Sequence, residues 1–190
     1  MPLADLPDTF TYTEARKAGL SKHALYRLRD SGQLEPIGRG IYRRHDAPLG
    51  DLDLLAVAQR SPMATLCLTS ALARHDLTDL IPARHDIALP RGTWHPHGHT
   101  SVHWHSFDPG TFRVGREEIA LDNDTRIGLY SAERSIIDAF RFRSQLGIET
   151  AHEALRRWMR AGGSPADLLQ MSRRFPRTQT AIRSALEILI

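Results

Sequence analysis

The chain has 190 residues, 41% of them apolar and 25% charged, with a formal net charge of +3. That composition supports a real core and excludes a globally disordered chain; at this length one domain with a small appendage is the first expectation. A single cysteine, Cys67, excludes an intrachain disulfide framework and a cysteine metal centre. No stretch approaches the roughly 18 apolar residues that cross a bilayer. The opening residues Met1 to Asp5 lack a basic n-region and an apolar h-region, so a cytoplasmic location and no membrane partner are expected.

Charge is uneven along the chain: +2 over residues 1–48, −3 over 49–130 and +4 over 131–190. Residues 11–45 hold eight basic groups against Glu14, Asp30 and Glu35, a balance suited to a phosphate backbone. Within that stretch Thr13 stands where it would N-cap a helix running to Ala18, with Gly19 as its left-handed terminator. Ser21 caps a second helix, Lys22 to Asp30, which stops at Ser31 and Gly32. Ala24, Leu25 and Leu28 share the inner side of that helix, so His23, Tyr26 and Asp30 point outward, flanked by Lys22, Arg27 and Arg29. Leu34 to Arg43 then reads as a β-hairpin with Gly38, Arg39 and Gly40 at its tip.

Helix, tight turn, helix and basic hairpin is the order of a winged helix-turn-helix. The helix that ordinarily precedes the pair has no room, because Leu3 to Asp8 is broken by Pro7. Phe10 and Tyr12 are expected instead as a short strand against the wing. Ala47, Pro48 and Gly50 mark a connector, which divides the chain into a DNA-binding domain at 1–48 and an α/β domain at 49–190.

In the second part, Leu52 to Gln59 reads as helix, Met63 to Leu68 as extended and Ser70 to His75 as helix. Arg84 to Leu121 alternates and turns often, which predicts a small, mostly antiparallel sheet, with Ile127 to Tyr130 as a further strand. Four helical stretches follow, at 132–145, 149–161, 165–175 and 178–190. The fold class is therefore α+β: an N-terminal winged helix-turn-helix, a small sheet domain and C-terminal helices.

Four pieces in this order resemble the AbiEi-type antitoxins. Gly19, Leu20 and Ser21 with Leu25, Leu28, Gly32, Leu34 and Arg39 to Tyr42 are similar to the winged-helix start of that family. Leu68 to Leu72, leading to His75, Leu77, Thr78, Ile81 and Pro82, is similar to the start of its second domain. Leu89 to Gly92 resembles a later strand and turn, and Ser131 to Arg134 with Asp138 resembles its helix with an Glu-Arg pair followed by Asp. The resemblance implies a type IV-like toxin–antitoxin system, in which the winged helix represses the protein's own operon at inverted repeats in double-stranded promoter DNA. It also implies a C-terminal domain that counteracts a nucleotidyltransferase-like toxin. Relatives with a C-terminal nuclease-like domain are a poorer match, since no lysine follows Lys22.

On these grounds Lys22, His23, Tyr26, Arg27 and Arg29 are the candidate groove-facing residues, and Arg39, Arg43 and Arg44 the candidate wing contacts. His95, His97, His99, His103 and His105 place five imidazoles in eleven residues. Histidine is a good zinc ligand, but no cysteine or carboxylate lies inside that run, and no metal is expected. Arg134 and Asp138, four apart on a helix, read as an inner-face ion pair. Without a nucleophile triad, P-loop or dinucleotide fingerprint, neither a catalytic residue nor a cofactor is expected. Two rival readings remain from the sequence: an enzyme whose second domain modifies the toxin or a nucleotide, and a winged-helix regulator unrelated to any toxin.

Overall fold

The computed structural model describes residues 5–97 and 100–189. They fall into two compact units, one within residues 1–64, 96–99 and 118–127, the other within 65–95, 100–117 and 128–190.

The first unit opens with strand β1 (Thr9–Thr11), which passes directly into helix α1 (Tyr12–Lys17). The cap of α1 falls at Thr11, two residues before the expected Thr13. The Thr11 hydroxyl accepts the Glu14 N–H at 3.2 Å, and the Glu14 carboxylate accepts the Thr11 N–H at 2.7 Å. This reciprocal capping box needs an acid three residues after the cap. Thr13 has Arg16 there.

Gly19, at φ +88°, turns the chain into helix α2 (Lys22–Asp30), capped by the Ser21 hydroxyl on the Ala24 N–H at 3.1 Å. Strands β2 (Leu34–Gly38) and β3 (Ile41–Arg44) make the predicted hairpin around Arg39 and Gly40. β1 pairs antiparallel with β3, Phe10 opposite Tyr42, so the sheet order is β1-β3-β2. The expected short strand is thus present, although Tyr12 belongs to the helix. Leu6, Phe10, Ala15, Leu20, Leu25, Leu34 and Tyr42 close a small core beneath the two helices. Helix α3 (Leu52–Arg60) follows, capped by Asp51.

The turn at 121–125 also belongs to this unit. Its Asp122 side chain is fully buried and accepts the Thr9 hydroxyl at 2.8 Å and the Arg43 guanidinium at 3.3 Å. Asn123 donates its side-chain amide to Asp8 at 2.7 Å, and Asp124 accepts the Asp8 N–H at 3.0 Å.

The larger sheet has the order β6-β5-β4-β8-β7, from strands β4 (Thr65–Leu66), β5 (His85–Pro90), β6 (Val102–Phe107), β7 (Arg116–Ala120) and β8 (Arg126–Tyr130). The expectation of a mostly antiparallel sheet needs correction. β5 pairs parallel with β6, and β4 parallel with β8, whereas β4 and β5 are antiparallel. β6 therefore does not fold back on β5 as a hairpin; parallel pairing has both strands start from the same end. Helix α4 (Leu68–Arg74) lies between β4 and β5 in the chain, and short α5 (Pro109–Phe112) takes up Phe112, which alternation had placed in the sheet.

Helices α6 (Ala132–Arg141), α7 (Arg143–Leu146), α8 (Ile148–Arg160), α9 (Pro165–Ser172) and α10 (Pro176–Leu189) complete the chain. Their core gathers Leu72, Ile136, Phe140, Leu155, Trp158, Leu168 and Ile182. None of the described helices is long and apolar enough to cross a membrane.

At the centre of the second unit Arg134 is fully buried. Its Nε donates to Asp138 at 2.9 Å and its Nη1 to the carbonyl oxygens of Thr111 and Val114, both at 2.7 Å. The guanidinium lies 4.2 Å from the Tyr130 ring centroid and 4.6 Å from that of Phe175. Arg141 pairs with the other Asp138 oxygen. Burial pushes the Asp138 carboxyl up, against the pull of both arginines. Removing one partner of such a pair leaves an uncompensated buried charge, so Asp138→Ala should cost about 3–5 kcal/mol. Gly115→Ala should also destabilise, because a Cβ there would stand 2.7 Å from the Arg134 Cβ at a backbone φ of +66°. Chemical denaturation of the two variants beside the unmodified protein measures both effects.

Candidate nucleic-acid interface

Helix α2 buries Leu25 and leaves its other side to solvent, with Lys22, His23 and Arg27 exposed and Tyr26 and Arg29 half-buried. Tyr26 lies between two cations, with Lys22 Nζ 5.6 Å and Arg29 Cζ 4.6 Å from its ring centroid. Those partners stand four residues before and three after it, the neighbours of one helix face. Arg29 also pairs with Asp30 at 2.8 Å, and both are solvent-accessible. Arg27 makes no ion pair among the described residues. Arg39 is exposed at the hairpin tip, where its carbonyl accepts from Arg60 Nη2.

The other two hairpin arginines are engaged elsewhere. Arg44 is held by Asp46, with Nη2–Oδ2 at 2.7 Å and Nε–Oδ1 at 2.9 Å. Arg43, expected to reach outward, is only 4% exposed. Its guanidinium meets the Thr9 hydroxyl at 3.2 Å, Asp122 and the Pro48 carbonyl. The reason is the strand alternation set by β1: Arg43 stands opposite Thr9, and the 121–125 turn brings a buried carboxylate that needs a cation. Nothing near Arg43 in the sequence marks Asp122 as its partner.

Of the other sequence candidates, Arg134, Asp138, His95, His103 and His105 lie in the second unit and His97 in the first. Arg134 and Asp138 form the buried pair already described. His95 stacks on Trp104 with centroids 5.8 Å apart, His97 is exposed, and His99 lies outside the described residues. His103 and His105 are on β6 beside Asp86 of β5, a carboxylate that the sequence argument missed because it lies seventeen residues upstream of His103.

Together, α2 and the hairpin tip expose Lys22, His23, Arg27 and Arg39 as a basic surface. Residues 1–45 match the family model described as "Transcriptional regulator, AbiEi antitoxin". Over that segment, therefore, the AbiEi-type resemblance read from the sequence holds, and the family is one of regulators. Among curated proteins, none matches the chain. A solved structure, that of the RV2827C protein from Mycobacterium tuberculosis, is similar in fold, with a TM-score of 0.56 and 18% identity, covering 90% of this chain and 68% of that one.

The burial of Arg43 generates a prediction in which the sign matters. Burial pushes the Asp122 carboxyl up, but hydrogen bonds from the Thr9 hydroxyl and from the Thr125 and Asp124 backbone outweigh it and hold the group below its usual 3.8. A depressed folded value contributes stability that is present above about pH 4 and is lost as pH falls through the folded value. The first unit should therefore lose stability as the solution is acidified below about pH 4, and Asp122→Asn should flatten that acid limb. Arg43→Ala should destabilise by about 3–5 kcal/mol at neutral pH. Denaturation midpoints of both variants from pH 2 to 7 provide the check.

Proposed function

We propose that the protein is an antitoxin that represses its own toxin–antitoxin operon. Residues 1–48 act as a winged helix-turn-helix on inverted repeats in promoter DNA, and residues 49–190 counteract a nucleotidyltransferase-like toxin. The observation that carries this reading is the exposed row Lys22, His23 and Arg27 on α2, beside Arg39 at the hairpin tip, in a segment that matches an antitoxin-regulator family.

The chemistry divides the labour. α2 enters the major groove, which is about 12 Å wide and admits one helix, and Arg27 has the reach and freedom to fork onto a guanine edge. His23 and Lys22, nearer the start of the helix, meet the backbone or neighbouring bases. Tyr26 offers a flat body for sugar or base contact. Arg39 approaches a phosphate or the minor groove from the hairpin tip. Arg29 and Arg44, each already paired with an aspartate, give that pairing up only where a phosphate replaces the carboxylate.

Arg27→Ala should cost about 1–3 kcal/mol of promoter affinity and relax base preference, whereas Arg39→Ala should weaken all sequences alike and shrink the salt slope by about one. Gel shifts over a range of salt separate the two effects; wild-type affinity in both variants would remove α2 and the hairpin from the reading.

The two activities reside in different parts of the chain in this proposal. Full-length protein carrying both Arg27→Ala and Arg39→Ala, expressed from a foreign promoter, should still protect cells against the toxin encoded beside it. Loss of protection in that folded double variant would place the antitoxic surface on the DNA-binding side instead.

A further inference from the structure

Strand β6 carries His103 and His105 at alternate positions, hence on one face. The neighbouring parallel strand β5 sets Asp86 directly opposite His103, on the same face. His105 Nε2 lies 2.8 Å from Asp86 Oδ1, and His103 Nδ1 lies 3.4 Å from that same oxygen. One donor atom from each of the three residues falls within 4.8 Å of the others. The carboxylate is seated: Asp86 is only 9% exposed and its backbone N–H donates to the Ser70 hydroxyl at 2.8 Å.

We propose that Asp86, His103 and His105 form a binding site for a divalent transition cation of the zinc class. Two neutral imidazoles and a carboxylate are borderline donors that suit zinc(II), cobalt(II) or nickel(II) better than magnesium or calcium, which favour oxygen alone. Metal–ligand bonds of about 2.0–2.2 Å in tetrahedral geometry place donor atoms roughly 3.4 Å apart. The 3.4 Å separation matches that spacing, and the 2.8 Å one is shorter by about 0.6 Å.

Closing the site requires two small events. The Nε2 proton with which neutral His105 bonds Asp86 is exchanged through solvent to Nδ1, freeing Nε2 as a ligand, and the His103 ring, whose side chain is 65% exposed, turns toward the carboxylate. An ordinary carboxylate–imidazole hydrogen bond uses one ring. Here two rings converge on one oxygen, and their centroids are 4.4 Å apart.

The cation crosslinks β5 to β6, the strand at one end of the sheet order, and leaves a coordination position open to water. Arg84 lines the same cleft as Asp86 and His103 and opposes the cation's charge. The affinity is therefore weaker than that of a four-ligand structural centre. The inference stands independently of the DNA-binding reading, since all three ligands belong to the second unit.

The test uses full-length protein without an affinity tag, stripped with a chelator and titrated calorimetrically with zinc(II). One equivalent should bind, with a matching rise in Tm. His103→Ala, which removes a largely exposed side chain and leaves the core untouched, should lower the affinity about tenfold or more and abolish the rise in Tm. His97→Ala, in the preceding loop, should leave both unchanged. Asp86→Asn, checked for folding by circular dichroism, should bind as poorly as His103→Ala. The proposal is overturned if the unmodified protein binds no stoichiometric zinc, if His103→Ala keeps its affinity, or if His97→Ala loses as much as His103→Ala.

Discussion

A guanidinium without water dictates much of the second unit. Arg134 heads the largest fully buried side chains among the described residues, and its charge is met from three directions. Asp138 one turn along α6 supplies the counter-charge, the carbonyls of Thr111 and Val114 accept from Nη1, and the Tyr130 and Phe175 rings lie 4.2 and 4.6 Å from the guanidinium carbon. Apart from Asp138 on α6 itself, the partners come from α5 and the residues just after it, from β8 and from the segment between α9 and α10, so α6 cannot shift on β8 without stripping some part of a buried charge. The need for close approach explains Gly115, whose positive φ lets Ser131 N–H reach its carbonyl at 2.7 Å while Arg134 packs against its Cα. One nitrogen, Nη2, has no hydrogen-bond partner among the described residues, and the Asp138 charge and the neighbouring rings offset that lack.

The first unit applies the same rule to a different end. A basic stretch of sequence reads as surface, yet one of its arginines is turned inward because Asp122 is buried and fully desolvated. The pair is worth little as net stability and a great deal as register: breaking it costs several kcal/mol, while forming it fixes β3 against the 121–125 turn. The consequence for the proposed DNA binding is a narrower charged surface than composition implies. With Arg43 withdrawn and Arg44 held by Asp46, the hairpin presents Arg39 as its outward cation, and α2 holds the other exposed basic candidates, Lys22, His23 and Arg27.

Local signals were legible in the sequence wherever the cause was local. Ser21, Gly32 and the Gly38–Gly40 turn placed α2 and its hairpin because a cap, a left-handed residue and a tight turn each act over three or four positions. Even the misplaced cap of α1 obeys this rule, since Glu14 identifies Thr11 once the box is considered as a pair. What stayed hidden depends on partners far along the chain. Asp86 lies outside the histidine run, Asp122 is 79 residues from Arg43, and the parallel pairing of β5 with β6 is not set by alternation within either strand. An alternating pattern identifies a strand and its faces; it carries no information on the direction of its neighbour.

Arg27 acquires its proposed role from what its neighbours already do. Tyr26 lies under Lys22 on one side and Arg29 on the other, and Arg29 is further held by Asp30. These contacts draw two long side chains along the helix surface and remove part of the conformational freedom that DNA binding would otherwise have to freeze, a cost of about 0.5–1.5 kcal/mol for each such side chain. A pre-ordered cation is well suited to a phosphate, whose position along the groove varies little with sequence. Discrimination between bases needs a different property, a fork that can be aimed at one edge and penalised when the edge is wrong. On α2 only an arginine left out of the aromatic stack and the aspartate pair meets that requirement, and Arg27 is that residue.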